Sequence, residues 1–200
     1  MPTIAVVMPS RGLIFSETIE EVLREVAPFP HQIFFAHQRP IPECYNEPLE
    51  KALKSSFDYI WMVEEDMKLP EGILQELLDL GKPIAISDYA AVEGVMCVTR
   101  NAEGGIMYAG TGCLLVERGV FELMNKPVFD ATNAYSADGR YMGKHDPREP
   151  IYGQHDIHFY HQVNEMGIPI GLTKSICNQR KLVERGQFET NTGFHKIKII

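Results

Sequence analysis

Glu64, Glu65 and Asp66 stand side by side in the stretch YIWMVEEDMKLP, directly after an apolar run. Three adjacent carboxylates repel one another unless a cation lies among them, and hard cations such as Mg²⁺ or Mn²⁺ take oxygen ligands. A divalent ion bridging protein carboxylates and a substrate diphosphate is the chemistry such a triplet can serve. The plainer account is that these are helix-start acids, favoured by the macrodipole and facing water. For the triplet taken alone, the plainer account is the stronger. Five of the seven histidines follow residue 144: His145, His155, His158, His161 and His195. His155 and His158 share a helical face, with His161 almost a turn beyond. Zinc needs a third or fourth ligand at suitable spacing, and no cysteine is near in sequence, so polar histidines at the mouth of a site are the simpler reading. Tyr135, Tyr141 and Tyr152 are candidate platforms for a sugar ring, whereas Trp61 sits mid-strand and reads as core. The glycines of Gly110-Thr111-Gly112 allow a close backbone approach to a ligand, or else mark a turn or bulge.

These residues are spaced along a chain that alternates strand and helix. TIAVVM (3–8) is a continuous apolar run closed by PSRG, the pattern of a buried parallel strand entering a turn. From Ser16, a candidate N-cap, Ile19, Val22, Leu23 and Val26 repeat at helical spacing until Pro28 and Pro30. HQIFFAH reads as a second strand. NEPLEKALKSS reads as a helix with Asn46 as cap and Pro48 in the first turn. FDYIWMV is a third buried strand, ending in the acids. Pro70 opens a helix over EGILQELLDL that Gly81 closes, and PIAISDY is a fourth strand. VMCVTR and GIMYAGTGCLLVER read as strands joined by the turn NAEGG, and GVFELMN as a short helix. Residues 128–152 have no regular period and read as a long functional loop or lid. GQHDIHFYHQVNEMG restores a helix, IPIGL a strand, and the tail from Thr173 is polar until HKIKII. Alternation of this kind predicts a mostly parallel sheet covered on both faces.

The chain of 200 residues, 44% hydrophobic and 23% charged, is long enough for a proper core and too apolar for disorder. There is neither linker nor internal repeat, so a single domain over 1–200 is expected. Its parts would be a nucleotide-binding half (1–90), an acceptor and catalytic half (91–172) and a C-terminal tail (173–200). No apolar run is long enough to span a bilayer, and the N-terminus reads as a strand rather than a signal peptide. A net charge of −8 disfavours generic adhesion to nucleic acid or anionic membrane. The four cysteines are widely separated with no C-x-x-C pair, which suits reduced thiols and a cytoplasmic setting.

In a parallel α/β sheet, ligands bind beyond the carboxyl ends of the strands. Glu64–Asp66 fall at such an end, and so do Ser10 and Arg11. The ordered set of features resembles the GT-A fold glycosyltransferases, especially family-2-like enzymes that use nucleotide-diphosphate sugars. The resemblance runs from MPSRG through YNEPLEKALKSSFDYIWMVEEDMKLP and GTGCLLVERGVFELM to GQHDIHFYHQVNEMGIPIG, over roughly residues 3 to 172. It implies a Rossmann-like, mostly parallel sheet flanked by helices, with a mixed second half. It further implies that Pro9, Ser10 and Arg11 border the nucleotide, and that Glu64, Glu65 and Asp66 stand in for the D-x-D motif. Asp66 would be the main ligand of Mn²⁺ or Mg²⁺, with Glu64 or Glu65 assisting or touching the ribose. His195, in TGFHKIKII, is similar to a C-terminal histidine that completes the metal sphere, or else is an ordinary tail histidine. Asp156 matches the acid that deprotonates the acceptor hydroxyl. Gly110, Thr111, Gly112 and His155 would border the donor and acceptor sugars, and Asn46 and Gln38 the nucleotide. The partner implied is a UDP- or GDP-sugar, with an acceptor the sequence does not name.

Three departures accompany the resemblance. AHQRP replaces the acidic pair after the second strand, with His37 and Gln38 as substitutes; Tyr45 stands where an arginine is usual; and His155 replaces the glutamate before Asp156. Arg180, Lys181 and Arg185 are candidates for neutralising a diphosphate, or else form a solvated basic patch. Two alternatives stay open: a nucleotidyltransferase, against which the single glycine of PSRGLIFSE counts, and a sugar- or nucleotide-binding module without turnover.

Overall fold

The computed structural model describes residues 1–36, 39–92, 95–136, 141–144, 154–180, 182–184, 187–190 and 193–196, with side chains up to residue 180 apart from 91, 92 and 95. Six strands form the central sheet: β1 (Ile4–Met8), β2 (His31–Phe35), β3 (Tyr59–Val63), β4 (Ile84–Ile86), β5 (Cys113–Glu117) and β6 (Ile170–Leu172), in the order β6-β4-β5-β3-β1-β2. β1 pairs in parallel with β2 and β3, and β6 with β4. β5 alone runs the other way, antiparallel to both β3 and β4. The α/β class expected from the sequence, a mostly parallel central sheet flanked by helices, is the one observed.

Alternation along the strands divides the core into two layers. Ala5, Val7, Ile60, Met62, Leu114 and Val116 pack on helices α2 (Glu43–Leu53), α4 (Arg118–Leu123) and α5 (Gln154–Glu165), against Leu49, Phe121 and Phe159. Ile4, Val6, Met8, Trp61, Val63 and Leu115 face α1 (Ser16–Val26) and α3 (Ile73–Asp79), against Val22, Val26, Leu74 and Leu77. A strand buried on both faces must be apolar at every position, and that is why β1 and β3 read as unbroken runs. Gly81 and Gly167 follow α3 and α5 with φ of 56° and 66°, the left-handed conformation that glycine adopts without steric cost. No helix of the described residues is long and apolar enough to cross a membrane.

Three expectations are corrected. Ser16 is not the cap of α1: Phe15 occupies that position, and the serine hydroxyl turns to Glu17. α2 begins at Glu43, three residues before Asn46, because the carbonyls of Pro40 and Pro42 already accept from Cys44 and Tyr45. Pro48 therefore lies in the second turn, buried. The irregular 128–152 region is not wholly a lid, since Val128, Phe129 and Ala131 are core residues and Asn133–Tyr135 pairs with Tyr141–Lys144. In the polar tail, Leu182–Glu184, Gln187–Thr190 and Gly193–Lys196 form an antiparallel three-stranded sheet.

Candidate active site

The acids that follow β3 do not begin a helix. After Asp66 the chain forms a two-residue strand, Met67–Lys68, paired with Asn178–Gln179, and α3 starts only at Ile73. The macrodipole account of the triplet therefore fails, because the effect is confined to the first turn of a helix. What fixes this segment is the returning tail. The amide of Arg180 donates to the Asp66 carbonyl at 2.6 Å, and its guanidinium reaches the Met67 carbonyl, the Thr18 hydroxyl and, at 2.6 Å, Glu21. Arg180 is thus committed to holding the tail on α1. Lys181 lies outside the described residues, as does Arg185.

Because β5 is antiparallel, its N-terminal end lies at the same edge of the sheet as the carboxyl ends of its neighbours. Thr111 consequently meets the acid after β3. Its hydroxyl lies 2.6 Å from Asp156 Oδ1 and 3.1 Å from Glu64 Oε1. Tyr45, from α2, donates to the same Glu64 oxygen at 2.7 Å. A threonine hydroxyl has one hydrogen to give. With that hydrogen on Asp156, the Glu64 contact is a hydrogen bond only when Glu64 itself carries a proton. The electrostatics agree: burial and the neighbouring Asp156 push the Glu64 carboxyl up to about 8, although bonds from Tyr45 and Thr111 pull the other way. Asp156 is also raised, chiefly by burial, against the opposing pull of His155 and the Thr111 hydrogen bond. Glu65 is raised by burial too, against the pull of Arg11, whose guanidinium lies 3.2 Å away.

His155 is 2% exposed and sits between Tyr45, with ring centroids 4.6 Å apart, and Phe129. Its Nε2 lies 3.1 Å from Asp156 Oδ1 but out of hydrogen-bond alignment, so neither ring nitrogen has a hydrogen-bond partner. His158 faces away from this cluster, its Nδ1 held by the Tyr135 hydroxyl at 2.7 Å. His161 lies beside Glu165. The zinc alternative finds no support, since no three His, Cys, Asp or Glu side chains converge as a metal site among the described residues. For Mg²⁺ or Mn²⁺ the test differs, because these ions are commonly held by one or two carboxylates plus substrate phosphates. Glu64 fits that requirement, being an oxygen donor whose proton is retained through burial first and the repulsion of Asp156 second, both of which a cation would offset.

The structure brings together Arg11, Glu64, Glu65, Asp66, Thr111, His155 and Asp156, all singled out in the sequence. Three of them, Arg11, Glu65 and Asp66, also enclose open space: a cleft of about 540 Å³ that they line with Leu13, Phe15 and Arg180, among others. A smaller recess beside it is lined by Cys44, Tyr45, Glu64 and Gln179. Pro9 and Ser10 are buried at the end of β1, and the Ser10 hydroxyl shapes the turn by donating to the Leu13 carbonyl and accepting from the Gly12 amide. Asn46 is engaged elsewhere, its amide clasping the backbone carbonyl and N–H of Phe129 at 2.8 and 3.1 Å. Gly110 and Gly112 have a reason other than a ligand: a Cβ on Gly110 would come within 2.1 Å of the Tyr89 hydroxyl, and one on Gly112 within 2.7 Å of Met67 Sδ. Tyr135 is buried, while Tyr141 is half exposed. His37, Gln38, His145 and Tyr152 lie outside the described residues. His195 is placed by backbone alone, paired with Phe188.

Tyr45 was missed as a site residue, although its place where the resemblance expects an arginine was a signal. Asp88 and Tyr89 gave none. The Asp88 carboxylate accepts from the amides of Tyr89, Cys97 and Val98 at 2.9 to 3.1 Å, which fixes the segment that packs on Gly110 and Gly112.

Neither a family model nor a curated protein matches the chain. Solved structures do. A197 from STIV aligns with a TM-score of 0.60 at 14% identity, covering 100% of this chain and 98% of that one. Glucosyl-3-phosphoglycerate synthase from Mycobacterium tuberculosis, in complex with Mg²⁺ and uridine-diphosphate, aligns at 0.49 and 14% identity over 90% of this chain and 72% of that one. The catalytic domain of Drosophila beta1,4galactosyltransferase 7, in complex with xylobiose, aligns at 0.45 and 17% identity over 100% and 72%. At such identities a likeness is one of fold, and scores below 0.5 support no inference. What is established is the fold, through A197.

Proposed function

We propose that this protein is a metal-dependent glycosyltransferase that moves a sugar from a nucleotide-diphosphate sugar, of the UDP or GDP type, to an acceptor hydroxyl. The observation that carries the reading is the convergence of Glu64, Thr111 and Asp156, from three separate segments, at the carboxyl edge of the sheet beside an open cleft. Binding at that edge is the rule for open α/β sheets. Asp66 and Glu64 would hold Mn²⁺ or Mg²⁺, with His195 a further candidate. The ion supplies a positive charge to the leaving diphosphate. Arg11, on the cleft wall, is a cation placed to meet the same phosphates.

Asp156 is the base in this reading. It takes the proton of the acceptor hydroxyl as the new C–O bond forms at the anomeric carbon and the bond to the diphosphate oxygen breaks. Thr111 fixes the orientation of that carboxylate through its 2.6 Å contact, and Tyr45 does the same for Glu64 at 2.7 Å. Burial keeps the Asp156 pKa above the usual carboxylate range, which strengthens it as a base. A cytoplasmic setting belongs to the same reading, the four cysteines being free thiols.

The test is a thermal-shift screen of UDP, GDP, CDP and their sugars, with and without Mn²⁺, on the protein and on Asp66→Ala. Stabilisation by one diphosphate that requires both Mn²⁺ and Asp66 is the expected result. A folded protein that responds to none of them overturns the proposal.

A further inference from the structure

A second cavity, of about 420 Å³, shares no lining residue with the cleft of Arg11 and Arg180 and is within the size range of small-ligand sites. One wall is α5, which presents Ile157, His161 and Asn164 at the i, i+4, i+7 spacing of a single helical face. The other is the strand Ile106–Tyr108, with Asn101 from the hairpin that precedes it. Both walls lead to the same place. Ile157 follows Asp156 in the first turn of α5, and Tyr108 precedes Thr111, whose hydroxyl touches Asp156, by three residues of chain, at most about 10 Å.

The chemistry of the lining selects its ligand. Among the described residues no Lys, Arg, Asp or Glu lines the groove, so none of them offers a fixed charge to compensate one brought out of water. Instead the walls offer two amides, an imidazole and a phenol among the apolar side chains of Ile106, Met107 and Ile157. The amides are held in opposite senses. Asn164 spends its Nδ2 on the Met107 carbonyl at 2.6 Å, leaving its oxygen to accept. Asn101 spends its Oδ1 on the Gly105 amide at 2.7 Å, leaving its nitrogen to donate. A hydroxyl both donates and accepts. Aromatic and aliphatic walls suit the C–H faces of a sugar ring, which carry no charge. We infer that this groove binds the acceptor, and that the acceptor is an uncharged glycan rather than a phosphorylated or acidic one. The inference rests on the transferase reading for the word acceptor, but the binding of a neutral glycan is testable without it.

The probes are maltotriose, cellotriose, mannotriose and chitotriose, with glucose 6-phosphate and glucuronic acid as charged counterparts. Each is titrated into the isotope-labelled full chain and followed by NMR. The expected result is that at least one neutral trisaccharide perturbs the Tyr108, Ile157 and His161 signals. His161→Ala and Ile157→Lys should each weaken it by about tenfold or more. Both variants should keep the wild-type melting temperature and the wild-type response to nucleotide and Mn²⁺. Absence of any neutral-glycan response at these residues overturns the inference, and so does equal or stronger binding of the charged sugars, or unchanged affinity in both variants. The two readings separate cleanly. Nucleotide binding without glycan binding removes the groove and leaves the transferase, whereas glycan binding without nucleotide binding keeps the groove and removes the transferase.

Discussion

Replacing Glu64 by Gln should make this protein more stable at alkaline pH while destroying its response to Mn²⁺ and nucleotide. The carboxyl is held at about 8 in the folded protein against an ordinary value of 4.5, by burial first and by the Asp156 charge second. Between those values the folded chain keeps a proton that the unfolded chain has released. Stability must therefore fall as pH rises, by about 1.4 kcal/mol per pH unit. The full effect is present below pH about 4.5 and is lost by pH about 8, a total of roughly 4–5 kcal/mol as an upper bound for a pair so close together. Gln keeps the oxygen that accepts from Tyr45, yet it cannot ionise. The assay is urea unfolding from pH 5 to 8.5 in the presence of EDTA, comparing wild type with Glu64→Gln. Glu65 remains in both proteins, so the difference between the curves reports Glu64 together with its interaction with Asp156. The variant should gain on the wild type steadily across this window, by up to about 1.4 kcal/mol of unfolding free energy per pH unit. With saturating Mn²⁺ and nucleotide the wild type should recover most at high pH, because the cation displaces the proton. Parallel curves for the two proteins, or a wild type that gains stability between pH 5 and 8, would refute the reasoning.

Three further substitutions probe the rest of the site. Asp156→Asn should lower turnover by about 10²- to 10⁴-fold while sparing nucleotide affinity, which donor turnover and thermal shift measured side by side will check. Gly110→Ala drives a methyl into the Tyr89 hydroxyl, and should cost about 1–3 kcal/mol of unfolding free energy in urea. Asn46→Ala leaves the N–H and carbonyl of Phe129 without their side-chain partners, at a cost of about 1–3 kcal/mol, and Asn46→Asp should restore part of it by accepting from the N–H again.

The sequence by itself determined the layers. The unbroken apolar runs at Ile4–Met8 and Tyr59–Val63, the helical period of Ile19, Val22 and Val26, and glycines at 81 and 167 are local signals. Each was read as the element it forms, because a strand or helix face is set by the neighbours a few residues away. The placing of Glu64–Asp66 at a strand end was legible for the same reason. Tertiary structure decided what those acids meet. β5 runs antiparallel, so Thr111 arrives at the edge where Asp156 also lies, and no periodicity within GTGCLLVE encodes that direction. Asn46 reads as a helix cap until the loop at Phe129 packs on it and claims its amide. The acids read as the start of α3 until Asn178–Gln179 returns from the far end of the chain to pair with Met67–Lys68. Hydrogen bonds between distant segments depend on where the core brings the chain, and the local pattern of side chains carries no record of it.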